Sequence, residues 1–248
     1  MIDIKHEKVQ LFIKLLQMKK LHLLTLIALI MISLSGCEKA KVTNGASADV
    51  FVKAIKNAQG ITVYTAVHSV FSYNTMTSVS VTSPTGTVTQ LIDYGKTGMS
   101  FYNEPTDADY SPTPPSMGTY TYSVTFNDGE VISYNNSLSS STLLPSVITS
   151  LAKSADGDSV YIKFNAIANV NFYQVEVTKG TTQIYYSDKF YDGSSPLKTN
   201  LSLGFNITNL ISAGGSGTFT FNINGLLYET TLYDYLQATS TASSDIVL

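Results

Sequence analysis

The chain has 248 residues, with 15 lysines, no arginine, 18 acidic residues, one cysteine and no tryptophan. The formal charge of −3 divides at Gly36, into net +3 over residues 1–36 and net −6 beyond. The acidic remainder offers no basic footprint for nucleic acid and no guanidinium forks for phosphate, and a lone cysteine excludes a disulfide framework.

Residues 1–17 contain Asp3 and Glu7, which do not suit the charged start of a signal sequence, so translation is expected to begin at Met18 and 1–17 to be a mis-assigned extension. From there "MKKLHLLTLIALIMISLSG" opens on Lys19 and Lys20 and continues as an apolar run, Leu21 to Leu34. At 1.5 Å per residue this run spans only ~21 Å, short of a ~30 Å hydrocarbon core. Residues 18–36 therefore read as a cleaved signal. The closing Leu34-Ser35-Gly36-Cys37 resembles the bacterial lipobox. That resemblance implies cleavage before Cys37 and acylation of its sulfur and new amino group. A lipid-anchored protein of the bacterial outer membrane or cell surface is then expected. Several acyl chains on one residue hold far more durably than one.

Residues 37–46 are polar and small, as suits a tether. Over Ser47–Ala58, Phe51, Ala54, Ile55 and Ala58 fall at helical spacing, with Ser47 and Gly60 as caps, so one short helix is expected there, with a strand as the alternative. From Ile61 the period changes to two. In "GTYTYSVTFNDGEVISYN", Tyr120, Tyr122, Val124 and Phe126 alternate with polar residues up to a turn at Asn127-Asp128-Gly129, which predicts a hairpin over Gly118–Asn135. Residues 104–117, with four prolines, read as a loop.

The serine-rich stretch at 137–145 divides the mature chain into 47–136 and 146–248. Beyond it, inward rows are predicted at Val160, Ile162 and Phe164, at Tyr173, Val175 and Val177, at Leu201 through Ile207, and at Phe219, Phe221 and Ile223. The fold class is all-β: two tandem antiparallel sandwiches, the second expected to fold independently. "VYIKFNAIANVNFYQVEV" resembles the B–C strand pair of a fibronectin type III domain, with Phe164 in place of its tryptophan. Leu210 followed by "GTFTFNI" is similar to that family's approach to strand F, with Phe219 in place of the tyrosine. Residues 61–136 resemble an immunoglobulin-type domain. Lipoproteins with stacked domains of this kind are common on Bacteroidota surfaces, and the resemblance implies a surface protein.

No enzyme or cofactor is expected. His68 is the one histidine after Gly36, no H-E-x-x-H or G-x-S-x-G occurs, and a partly buried strand histidine is the preferred reading. Gly95-Lys96-Thr97 lacks the first glycine of a phosphate loop, because Gln90 stands there. Glu104, Asp107 and Asp109 could offer oxygen ligands to calcium, but a solvated acidic loop is preferred and no metal is assigned. Asp156-Gly157-Asp158 reads as a turn.

The expected role is a non-catalytic binding module on a membrane anchor. Its partner would be a protein or a glycan, the latter as an accessory to an outer-membrane importer, with a structural spacer as the other alternative. Alternation along the strands places Phe172 and Tyr185 outward as a candidate aromatic pair, with Asn222 as a nearby amide.

Overall fold

The computed structural model describes residues 43–103, 105–139, 142–191, 200–229 and 235–248. The expected signal segment, the expected lipobox with Cys37, and Glu104 lie outside the described residues. The first half holds β1 (Ser47–Lys56), β2 (Thr62–Phe71), β3 (Met76–Thr82), β4 (Val88–Gln90), β5 (Ile92–Asp93), β6 (Ser100–Tyr102), β7 (Gly118–Phe126) and β8 (Val131–Leu138). The second holds β9 (Ile148–Lys153), β10 (Ser159–Asn165), β11 (Phe172–Lys179), β12 (Thr182–Tyr186), β13 (Asn200–Asn206), helix α1 (Ile207–Gly214), β14 (Thr218–Tyr228) and β15 (Leu236–Val247).

These strands form one long sheet, β12-β11-β14-β15-β1-β2-β6-β5, and two short ones, β4-β3-β7-β8 and β13-β10-β9. Each short sheet covers one half of the long sheet. Tyr122 and Val124 of β7 share a core with Val50 and Val52 of β1. Phe164 of β10 packs on Tyr173 of β11, with ring centroids 5.6 Å apart, and Phe205 of β13 packs on Phe221 of β14 at 5.3 Å. The strands β10 and β11, which carry the fibronectin-like resemblance, thus lie in opposite sheets, as B and C do in immunoglobulin-type sandwiches.

The two sandwiches are joined along β1 and β15, which pair in parallel from Val52↔Ala238 to Ile55↔Thr241. Asn44–Leu248 is accordingly one compact unit. The last strand of the 146–248 segment takes its second neighbour from outside that segment.

The hairpin follows the alternation rule. β7 buries Tyr120, Tyr122, Val124 and Phe126, and Gly129 turns at φ 87°, a left-handed conformation that suits glycine. The predicted helix over Ser47–Ala58 is instead β1. Val50, Val52 and Ala54 form its buried row, while Phe51 and Ile55 half-bury on the other face. A strand between two neighbours with both faces partly covered carries apolar residues on both, and that run imitates helical spacing. The one α-helix among the described residues is α1. Asn206 caps it through its side chain, which accepts from Asn209 N, and Gly215 ends it, so Ile207 leaves the predicted strand row and packs from the helix.

Candidate functional site

The long sheet has an inner face, turned toward the short sheets, and an outer face. Across the outer face runs a groove of about 860 Å³. Register places its floor. Glu176 of β11 lies opposite Asn222 of β14, which lies opposite Ser243 of β15; one row along, Gln174, Asn224 and Thr241 repeat the pattern. The first row is bonded side to side: Asn222 Nδ2 donates to Glu176 Oε2 (3.2 Å) and Ser243 Oγ to Asn222 Oδ1 (2.7 Å). In the second row Thr241 Oγ1 donates to Asn224 Oδ1 (2.7 Å), and the Asn224 Nδ2 has no partner among the described residues. Gln174 is held by Tyr186, whose hydroxyl donates to its Oε1 (2.7 Å), and donates from its Nε2 to the Ser187 carbonyl (3.0 Å).

Beyond the β15–β1 seam the floor continues through Lys53 and Ile55, and Tyr94 and Tyr102 stand at the far side. Tyr186 and Tyr228 stand at the near side. Lys189 donates to the Tyr228 hydroxyl and lies over its ring, 4.8 Å from the centroid. The lining therefore combines amides, hydroxyls and tyrosine rings with apolar side chains such as Phe51, Ile55 and Leu226 and with Lys53 and Lys189. It can exchange hydrogen bonds with a polar ligand and stack on flat or apolar faces. Its carboxylates are Glu176 and Asp107, and no histidine lines it.

Of the predicted site residues, Asn222 lies on the groove floor. Phe172 is on the same face but turned to the rim, where its ring meets Tyr191 and Tyr228 edge-on at 6.5 and 6.0 Å. Tyr185 is 41% exposed and on the inner side, its ring 5.4 Å from Phe205. Phe172 and Tyr185 are thus not brought together. The cause is a bulge: Val177 pairs with Tyr185 but Thr178 with Gln183, so Ile184 is an inserted residue. Strict alternation set Gln183 with Tyr185; the bulge sets Gln183 with Tyr186 on the outer face. Asn224 and Gln174 obey the same alternation as Asn222 and were readable from it. The tyrosines across the seam had no local signal.

His68 lies on the inner face and is buried. Tyr122 spends its hydroxyl proton on the Asp49 carbonyl (2.7 Å), so the His68 Nδ1 (3.0 Å away) is the donor to the Tyr122 oxygen. Burial holds the imidazole down at about 4 and drives the Tyr122 phenol far above its ordinary range. This is a neutral strut between the sheets. On the next outward position of β1, the Asp49 carboxyl is pushed up to about 6, chiefly by burial and against the Leu236 amide that donates to it.

Within the acidic loop Asp109 is held locally, its Oδ2 accepting from the Thr106 amide (2.6 Å) and hydroxyl (2.8 Å). Among the described residues no three acidic, histidine or cysteine side chains group as a metal site. The loop at Gly95–Thr97 is closed by Asp93, whose carboxylate accepts from the Gly98 amide, and β6 follows it rather than a helix. Asp156-Gly157-Asp158 is a turn, with Gly157 at φ 78°.

No protein-family model and no curated protein matches the chain. Among solved structures it is similar to a cytokine receptor complex, at 13% identity over 80% of this chain and 95% of that one, with a TM-score of 0.27. A tetra-tandem repeat from the extending region of a large adhesion protein aligns at 16% identity over 81% of this chain and 50% of its own, with a TM-score of 0.29. A bacterial ice-binding adhesin involved in host cell surface retention aligns at 13% identity over 81% and 63%, with a TM-score of 0.26. The chain thus spans 50% and 63% of the two adhesion-protein chains it aligns with, less than two thirds of each. Among the described residues no helix is long and apolar enough to cross a membrane.

Proposed function

We propose that the chain is a surface lipoprotein, acylated at Cys37 and held at a bacterial outer membrane, whose non-catalytic role is binding through the outer-face groove. The observation that carries this reading is the groove itself. An amide ladder with tyrosines at both sides is an unusual use of a sheet face that would otherwise need only solvated side chains. A glycan is the ligand class the lining favours. The Asn224 amide and the serine and threonine hydroxyls match hydroxyl-rich ligands, and Tyr94, exposed at the rim, offers a ring face.

The test is an array of oligosaccharides probed with the full chain, its hits measured by calorimetry. Asn224→Ala and Tyr94→Ala should each weaken such binding by up to roughly tenfold, the worth of about one hydrogen bond or stacking contact, while leaving the melting temperature in place. Hits that neither substitution alters would place binding elsewhere and refute the groove. A mature chain that retains residues 18–36, or that starts at an unmodified Cys37, would refute the anchor.

A further inference from the structure

The end of the first sandwich at which β1 begins carries exposed apolar side chains beside the point where the chain enters. Phe71 closes β2 at 45% exposure, Tyr73 in the following turn is 87% exposed, and Met99 on the adjoining segment is 42% exposed. The two rings meet edge-on at 5.0 Å. Ser72 between them is buried, donates from Oγ to the Gly45 carbonyl (2.7 Å), and accepts from the Asn74 amide (2.9 Å). The aromatic turn is thus pinned to the entering chain.

That entry is itself fixed. The Asn44 side chain donates to Asp128 and Glu130, 2.8 Å each, and the Ala46 amide donates to the Tyr134 hydroxyl (2.9 Å). Only seven residue steps separate Asn44 from Cys37. Fully extended they reach no more than about 25 Å.

We infer that this end of the sandwich rests on the lipid surface, with Phe71, Tyr73 and Met99 at the level of the headgroups. The inference depends on the reading of Cys37 as acylated. Tyrosine and other amphipathic rings settle at membrane–water interfaces because one end is apolar and the other is hydrated. A short tether keeps the patch within reach of the bilayer, and the pinned entry gives it a fixed aim. Asp128 and Glu130 at the same end disfavour anionic lipid, so the contact is apolar and suits uncharged or zwitterionic headgroups. The opposite end is far away. Ile55 pairs with Thr241, and Val247 lies six residues further along β15, while Ser47 lies eight residues back along β1. At 3.3 Å per residue that is roughly 45 Å of strand.

The chain has no tryptophan, so single reporters are clean. The acylated full chain is reconstituted into vesicles of phosphatidylethanolamine and phosphatidylcholine, with and without brominated acyl chains. Tyr73→Trp and, as a second reporter on another segment, Met99→Trp should emit to the blue and lose most of their emission to the brominated lipid. Val247→Trp should do neither, and added salt should change nothing. If the chain floats with the vesicles but the Tyr73→Trp and Met99→Trp proteins are quenched no more than the Val247→Trp protein, the lipid contact is refuted and the anchor stands. If the chain does not float and its mass shows no acyl group, the anchor reading fails and takes this inference with it.

Discussion

His68 and Asp49 are linked through Tyr122, and burial moves them in opposite directions. His68 falls from 6.5 to about 4 and Asp49 rises from 3.8 to about 6. Above pH 6.5 the imidazole is neutral whether the chain is folded or not. As pH falls below that value the unfolded chain binds a proton that the native chain refuses, so stability is lost until about pH 4. At 1.36 kcal/mol per unit this amounts to about 3 kcal/mol. Asp49 works the other way. Above about pH 6 it is charged in both states, and its burial costs stability. As pH falls toward 3.8 the native chain takes the proton first and recovers about 2 kcal/mol, a figure reduced by the carboxyl's residual contact with water.

The two contributions nearly cancel between pH 6.5 and 4, and substitution should expose each. Urea melts of wild type, His68→Gln and Asp49→Asn at steps from pH 7.5 to 4.5 read them as differences, which removes every other titrating group. Glutamine keeps an N–H to give to Tyr122, so the strut survives. The stability advantage of wild type over His68→Gln should shrink by about 2–3 kcal/mol across the range. Its deficit or advantage relative to Asp49→Asn should shift by about 2 kcal/mol in its favour. A difference between wild type and His68→Gln that is flat with pH would mean the imidazole protonates in the native state at its ordinary pH. The burial of His68 between the sheets would then be refuted.

Two core substitutions test the packing. Phe164, fully buried against Tyr173, should cost about 3–5 kcal/mol as Phe164→Ala; a urea midpoint within error of wild type would remove it from the core. Ser240 is 0% exposed beside the seam, and its Oγ has no hydrogen-bond partner among the described residues. Ser240→Ala should therefore raise stability by about 1 kcal/mol, by removing a desolvated hydroxyl, and a loss of stability instead would mean that the hydroxyl is bonded.

Where polar and apolar residues alternate cleanly, the fold was legible residue by residue. Tyr120 to Phe126, Val160 to Phe164 and Phe219 to Ile223 face inward as the period of two requires. The misreadings occur where alternation is diluted. β1 lies between two strands, with apolar residues on both faces, so its pattern passes for a helix. Ile184 is inserted by a bulge that no neighbouring residue announces, and that single insertion moves Tyr185 out of the predicted pair. The β1–β15 seam joins residues nearly 190 positions apart and has no local signature at all. The groove depends on that seam. Asn222, Asn224 and Gln174 belong to the second sandwich, whereas Lys53, Tyr94 and Tyr102 belong to the first. Neither half alone forms both sides of the groove. Two sandwiches on a flexible linker would present two separate flat faces; sharing one sheet turns them into a continuous one. It also makes β1 serve two purposes. Its first residues follow the proposed tether and its middle residues floor the proposed binding face, so a single strand connects the two.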